Sequence, residues 1–236
     1  CDVQIDDVVG LGLVEFPLLT SSDGTLSVTR TQIETYLVII DLNDQRNMRY
    51  VFDNCVTSGR NQFGFGFAQN AENVSVVYLN IAADDTAGTR TIFVEDGALA
   101  NCAGGVAIRI DNVTVDTVTT FGHAALENCP SSVLSLTRMR SRAGLYPVMT
   151  VKHPIAVNAT DTTVIVDGVT VSGGLPVNVT ASGSTLVFRN LNVSSGDVVV
   201  APRPGIQPGE FPTFTWNSPR SSSTSQVSSS GSRTGR

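Results

Sequence analysis

The sequence predicts an all-β chain wound into stacked coils, and three observations carry that expectation. Charged residues make up 15% and aromatic residues 6% of 236 residues, and the apolar content is mainly Val, Ile and Leu, with Thr, Ser, Asn and Gly between them. That is strand and turn chemistry; the Ala-, Glu- and Lys-rich stretches of helices are absent. An eight-residue pattern recurs: apolar, any, apolar, two turn residues, apolar, any, apolar. The copies begin at Val3, Leu26, Tyr50, Val74, Ile108, Leu134, Val164 and Leu186.

Each copy is two period-2 strands meeting at a two-residue corner. The first reads Val3-x-Ile5, Asp6-Asp7, Val8; the second Leu26-x-Val28, Thr29-Arg30, Thr31-x-Ile33; the third Tyr50-x-Phe52, Asp53-Asn54, Cys55. The fourth reads Val74-x-Val76, Val77-Tyr78, Leu79-x-Ile81, and the fifth Ile108-x-Ile110, Asp111-Asn112, Val113-x-Val115. Leu134-x-Leu136, Thr137-Arg138, Met139 follows, then Val164-x-Val166, Asp167-Gly168, Val169-x-Val171, and finally Leu186-x-Phe188, Arg189-Asn190, Leu191-x-Val193. Of 32 inward positions so defined, 28 are apolar, all but Gly10, Thr31, Thr57 and Ser141. Random placement would give about 13, so the pattern is a core and not a compositional accident.

In five of the eight copies the second corner residue is Asp7, Asn54, Asn112, Gly168 or Asn190, types that tolerate the left-handed conformation of a sharp corner. Further strands are expected at Leu37 to Ile40, Phe63 to Phe67, Thr91 to Val94, Val177 to Val179 and Val198 to Val200. Three short strands per turn of about 24 residues, with no helix between them, make a coil of sheet that stacks on its neighbour about 4.8 Å away. The competing arrangement is an antiparallel β-sandwich, whose hairpins do not demand one residue type at one recurring register.

With these residues in place, the pattern over residues 1–200 resembles a right-handed parallel β-helix of the pectin-lyase-like kind, the Asp-Asn and Arg-Asn corners resembling its asparagine-bearing turn. Residues 160–200, with VIVDGVTVSG and LVFRNLNVSSG, resemble repeats in trypanosomatid dispersed gene family surface proteins. The eight copies make about eight coils; the first resemblance implies that fold, whose enzymes cleave acidic polysaccharides.

Residues 201–236 read as a Pro-, Ser- and Thr-rich tail or linker. Phe211, Phe214 and Trp216 stand at its start, as a clip docking on the solenoid or a neighbour, or as a cap over the last coil. Five N-x-Ser/Thr sequons, at Asn73, Asn112, Asn158, Asn178 and Asn192, are candidate N-glycosylation sites. With the Ser/Thr tail open to O-linked glycans, they point to an extracellular or cell-surface protein.

Of the four cysteines, Cys102 lies six residues before the fifth copy and Cys129 five before the sixth. Matching register on neighbouring coils places them within disulfide reach. Cys55 takes an inward position as a small hydrophobe. Cys1 either pairs with a missing segment or is a lipidated first residue. The spacings match no zinc pattern, and neither metal nor cofactor is expected.

The catalytic candidates are sparse. Asp84-Asp85, in the longest insertion, are either a general acid and base or a solvated turn. Gly122-His123 and Arg109-Ile110-Asp111 resemble polygalacturonase elements, but Ala124 replaces the third glycine, the Arg-Ile element lacks its Lys, and it precedes the His. Arg138, Arg140 and Arg142 alternate along one expected strand, as a grip for acidic glycan or as a solvated face. His153 sits in a Lys-His-Pro turn as an ordinary surface residue. Nucleophile elbows, P-loops and dinucleotide fingerprints are absent. A net charge of −6 argues against nucleic-acid binding, and no apolar run is long enough to span a membrane.

The expectation is therefore a non-catalytic structural or adhesive surface glycoprotein, as a subunit of a fibre or appendage. Its partners would be other copies or neighbouring domains of a longer chain, because Cys1-Asp2-Val3 already belongs to the first coil, with no amphipathic capping helix before it. The alternative is a polysaccharide lyase or hydrolase acting on acidic glycans.

Overall fold

The computed structural model describes residues 2–10, 22–34, 37–40, 42–58, 62–65, 68–83, 91–94, 101–115, 117–119, 126–141, 148–150, 156–157, 160–172, 175–179, 184–190, 192–193, 198–202, 213–217 and 228–229. Among them the chain is an all-β parallel β-solenoid, with strands and turns and no helix. Nine strands of the largest sheet lie side by side in chain order: β1 (Asp2–Asp6), β2 (Ser22–Thr29), β3 (Arg46–Asp53), β4 (Ser75–Ala83), β5 (Ala107–Val113), β6 (Val133–Thr137), β7 (Thr163–Asp167), β8 (Thr185–Arg189) and β9 (Thr213–Asn217). Every one of these pairings is parallel. Neighbours in sequence that pair in parallel require the chain to travel once round a coil between them, so the sandwich of antiparallel hairpins is excluded.

The register aligns Val3, Leu26, Tyr50, Val76, Ile108, Leu134, Val164, Leu186 and Phe214 in one file, which is buried from Leu26 to Val164. This corrects the fourth copy of the repeat. Tyr50 pairs with Val76, not with Val74. Val74 is buried, but in a file two positions earlier, between Met48 and Val106. The octet is therefore Val76-x-Tyr78, Leu79-Asn80, Ile81-x-Ala83. Positions 74, 76 and 78 are all apolar at period 2, so alternation alone fits either register.

The core is the space inside the coil. Leu26, Tyr50, Val76, Ile108, Leu134 and Val164 are buried, as are Val28, Phe52, Tyr78, Ile110, Leu136 and Val166 two residues on. Phe52 and Tyr78 stack across adjacent coils with ring centroids 5.0 Å apart. Past the corner, Thr31, Cys55, Ile81, Val113, Met139 and Val169 are buried too. The hydroxyls admitted to the core bond to backbone: Thr31 Oγ1 donates to the Thr29 carbonyl at 2.8 Å and Thr57 Oγ1 to the Ala82 carbonyl at 3.4 Å. That is how two polar residues occupy positions the pattern reserves for apolar ones.

A second sheet of seven strands contains Leu37–Ile40, Gln62–Phe65, Thr91–Val94, Thr117–Thr119, Val148–Thr150, Thr170–Ser172 and Asn192–Val193 in that order. Leu175–Val179 pairs with Val198–Pro202, which pairs with Ser228–Ser229.

Candidate functional site

The outer turns of the solenoid carry its ordered polar chemistry. At each of the eight corners, the second residue has a positive φ: Asp7 56°, Arg30 46°, Asn54 52°, Asn80 50°, Asn112 54°, Arg138 50°, Gly168 76° and Asn190 48°. The backbone there must turn left-handed, and Asn, Asp and Gly accept that at least cost. With the fourth register corrected, six of the eight are such residues; Arg30 and Arg138 are the exceptions.

Each exception is bound to the coil before it. Arg30 forms an ion pair with Asp6, and Arg138 with Asp111. Thr29 Oγ1 and Thr137 Oγ1 donate to the same two carboxylates at 2.6 and 2.8 Å. Elsewhere Asn takes the same role. Asn80 Nδ2 donates to Asp53 at 2.9 Å, Asn190 Nδ2 to Asp167 at 2.8 Å and Asn112 Nδ2 to the Asn80 carbonyl oxygen at 2.8 Å. Backbone bonds cross the corner as well, as from Asn54 N–H to the Leu79 carbonyl at 3.2 Å.

Two further ladders run along the rod. Three residues before six of the octets stand Asp23, Asn47, Asn73, Gly105, Ser131 and Asp161, all with positive φ. Asn47 Nδ2 donates to Asp23 and Asn73 Nδ2 to Asn47, both at 2.8 Å. Asp44, Asn70, Asn101 and Asn128 also have positive φ. Asn70 Nδ2 donates to Asp44 at 2.9 Å and Asn128 Nδ2 to Asn101 at 2.8 Å. These two ladders were missed in the sequence because only the corner inside the octet was aligned; Asp or Asn three residues ahead of three successive octets was the available signal.

Replacing Asn80 by Ala should therefore cost about 1–2 kcal/mol, because a Cβ without local hydrogen bonding is strained at positive φ. Asn80→Gly should cost less, keeping the conformation and losing only the side-chain bonds to Asp53 and from Asn112. Urea midpoints of the two variants check the order.

The Arg138 guanidinium, by hydrogen bonding, holds the Asp111 carboxyl below its ordinary range, against a smaller opposing effect of burial. A depressed carboxyl pKa adds stability above the unfolded value, about 3.9, and that stability is lost as pH falls through the folded value. Asp111→Asn should flatten the acid limb of stability below about pH 4, which urea titrations at stepped pH measure.

Cys102 and Cys129 lie on adjacent coils at disulfide distance, with Cα atoms 4.6 Å apart, as their register predicts. Cys55 is buried; burial pushes its thiol pKa up, and the thiol sits 3.5 Å from the Val28 and Asp53 carbonyls. A protonated, enclosed thiol is inert.

Among the sequons, Asn73 and Asn112 are exposed members of the ladders, and the nitrogen that would carry glycan is the one that donates to Asn47 or Asn80. Asn178 lies in Leu175–Val179 and Asn192 in Asn192–Val193; Asn158 lies outside the described residues. Phe214 and Trp216 fall in β9, opposite Leu186 and Phe188, while Phe211 is outside the described residues.

The arginine stripe is corrected: β6 ends at Thr137, so Arg138 turns into the corner towards Asp111 while Arg140 stands exposed beyond it. Asp84, Asp85, His123, Arg142, His153 and Cys1 lie outside the described residues. Among the described residues, no group of three or more His, Cys, Asp or Glu could hold a metal ion, and no helix is long and apolar enough to cross a membrane.

No family model, curated protein or solved structure matches the chain. The parallel β-solenoid accordingly stands on its own strand pairing, without family support for the pectin-lyase-like or trypanosomatid resemblance.

Proposed function

We propose that this chain is a non-catalytic structural or adhesive surface glycoprotein, a right-handed β-helical rod of about eight coils that serves as a subunit of an extracellular fibre or appendage. One observation carries the reading: Asp6, Asp53, Asp111 and Asp167 each accept a hydrogen bond from the following coil. Their carboxylates hold coil to coil, as a rod requires. The Cys102–Cys129 pair suits an oxidising, extracytoplasmic compartment. The exposed amides of Asn73 and Asn112 have room for glycan, and a glycosylated amide keeps one N–H for its ladder bond.

The chain, secreted from a glycosylating host, should carry glycan at Asn112, seen as a mass shift that enzymatic deglycosylation removes. Incubated with pectate-like polymers, it should release neither reducing ends nor unsaturated sugars. Reproducible release abolished by Asp84→Asn or Asp85→Asn would replace this reading with a polysaccharide lyase or hydrolase.

A further inference from the structure

The two outer ladders break at one joint, between the coil of Val76 and the coil of Ile108. On the coil of Val76, Asn70 and Asn73 both donate backwards, to Asp44 and Asn47. One coil further on, Asn128 donates back to Asn101. Across the joint itself no side-chain bond joins Asn70 to Asn101, and Gly105 stands where the next member after Asn73 belongs. The backbone is continuous there: Asn70 N–H donates to the Asn101 carbonyl at 3.0 Å and Asn73 N–H to the Gly104 carbonyl at 2.9 Å. The coils are therefore in register, and only the side-chain rungs are missing.

The gap has room. A Cβ on Gly105 would meet the Asn73 backbone at 3.5 Å, ordinary contact, so a side chain fits and the sequence supplies none. Gly104, with φ 142°, holds a conformation that favours glycine. Asn70, Asn73, Asn101 and Ser131 around this bed are all exposed.

Asn73 opens the sequon Asn73-Val74-Ser75, and its orientation sets where a sugar would go. Nδ2 donates to the preceding coil, which turns the side-chain carbonyl oxygen towards the following one. A planar secondary amide carries its substituent on the side of the oxygen and its remaining hydrogen on the other. A sugar on Nδ2 thus leaves towards the following coil and keeps the hydrogen for Asn47. At Asn112 the following corner holds Arg138, a full side chain and no such bed.

We propose that Asn73 carries an N-linked glycan whose first N-acetylglucosamine lies over Gly104 and Gly105 and supplies the missing rung. The inference rests on the surface-glycoprotein reading and gives one glycan a structural role. The donor is a lipid-carried sugar diphosphate. The bond from the anomeric carbon to the diphosphate oxygen breaks, the carrier leaves with that electron pair, the bond from the anomeric carbon to Nδ2 forms, and Nδ2 gives up one of its two protons. The sugar's hydroxyls and acetamide then face Asn101 and Ser131, one and two coils ahead, about 5 and 10 Å along the rod.

The test secretes the full chain from a glycosylating host, with and without N-glycosylation blocked, and maps every sequon peptide by mass. Glycans are trimmed to a single N-acetylglucosamine before urea midpoints are compared. Asn73 should be occupied, and the chain with single sugars should unfold about 0.4 M higher in urea than the chain without, the size of one added hydrogen bond. That difference should vanish in Ser75→Ala, which loses this sequon alone, and in Gly105→Asn, which fills the bed with an amide. Asn73 bare while other sequons are occupied overturns the inference and leaves the glycoprotein reading standing; no sequon occupied overturns both. An occupied Asn73 with no midpoint difference, or the same difference in Ser75→Ala or Gly105→Asn, overturns the rung.

Discussion

Truncating Phe52 to Ala should cost about 3–5 kcal/mol, among the largest losses available to a single substitution in this chain. Phe52 is fully enclosed, pairs in register with Val28 and Tyr78, and stacks on the Tyr78 ring. Neighbouring coils are fixed by their own backbone ladders, so little can collapse into the void. Each coil is also stabilised by its two neighbours, so the loss should spread beyond one turn and lower the urea midpoint of the whole transition. A midpoint shift equivalent to under 1 kcal/mol would show that the interior is not packed at this level.

Removal of the Cys102–Cys129 link is expected to have the next largest effect. The bond joins residues 27 apart in sequence, and closing a loop of that length restricts the unfolded chain by about 3.5 kcal/mol in the entropy model. Cys102→Ser/Cys129→Ser and reduction of the unmodified protein should give the same lowered urea midpoint, and reductant should do nothing further to the double variant. A non-reduced peptide map with both thiols free would remove the basis of the prediction.

Both predictions depend on registers, and the sequence revealed some registers better than others. Where the octet ends in a corner of distinctive type, as at Asp53-Asn54 or Asp111-Asn112, alternation and turn chemistry agree and the inward file follows. At residues 74–81 they separate. The alternating apolar run is longer than the strand segment it has to fill, and only Asn80, with its positive φ, fixes which three residues open the coil. The roles of Arg30 and Arg138 were legible only in retrospect. Each partner carboxylate lies one coil back, 24 and 27 residues away, a separation with no meaning until the coils are aligned. The cysteine pair was easier, because two residues at nearly equal distance from two octets suffice to bring them together.

The ladders impose a rule on how such a chain can change length. A tandem duplication of residues 50–75, one coil from the Tyr50 position to Ser75, would set the duplicated Asn54 over Asp53, as Asn80 sits now. It would set the duplicated Asn73 over Asn73 and Asn70 over Asn70, repeating the Asn-on-Asn contacts already made by Asn73 with Asn47 and Asn128 with Asn101. Duplicating residues 3–25 instead would bring the new Asp7 over Asp6 and the new Asp23 over Asp23, carboxylate against carboxylate. The coil that begins at Tyr50 is thus a copyable unit and the coil that begins at Val3 is not; the coils that carry Arg30 and Arg138 are not either, because each needs a carboxylate on the coil before it.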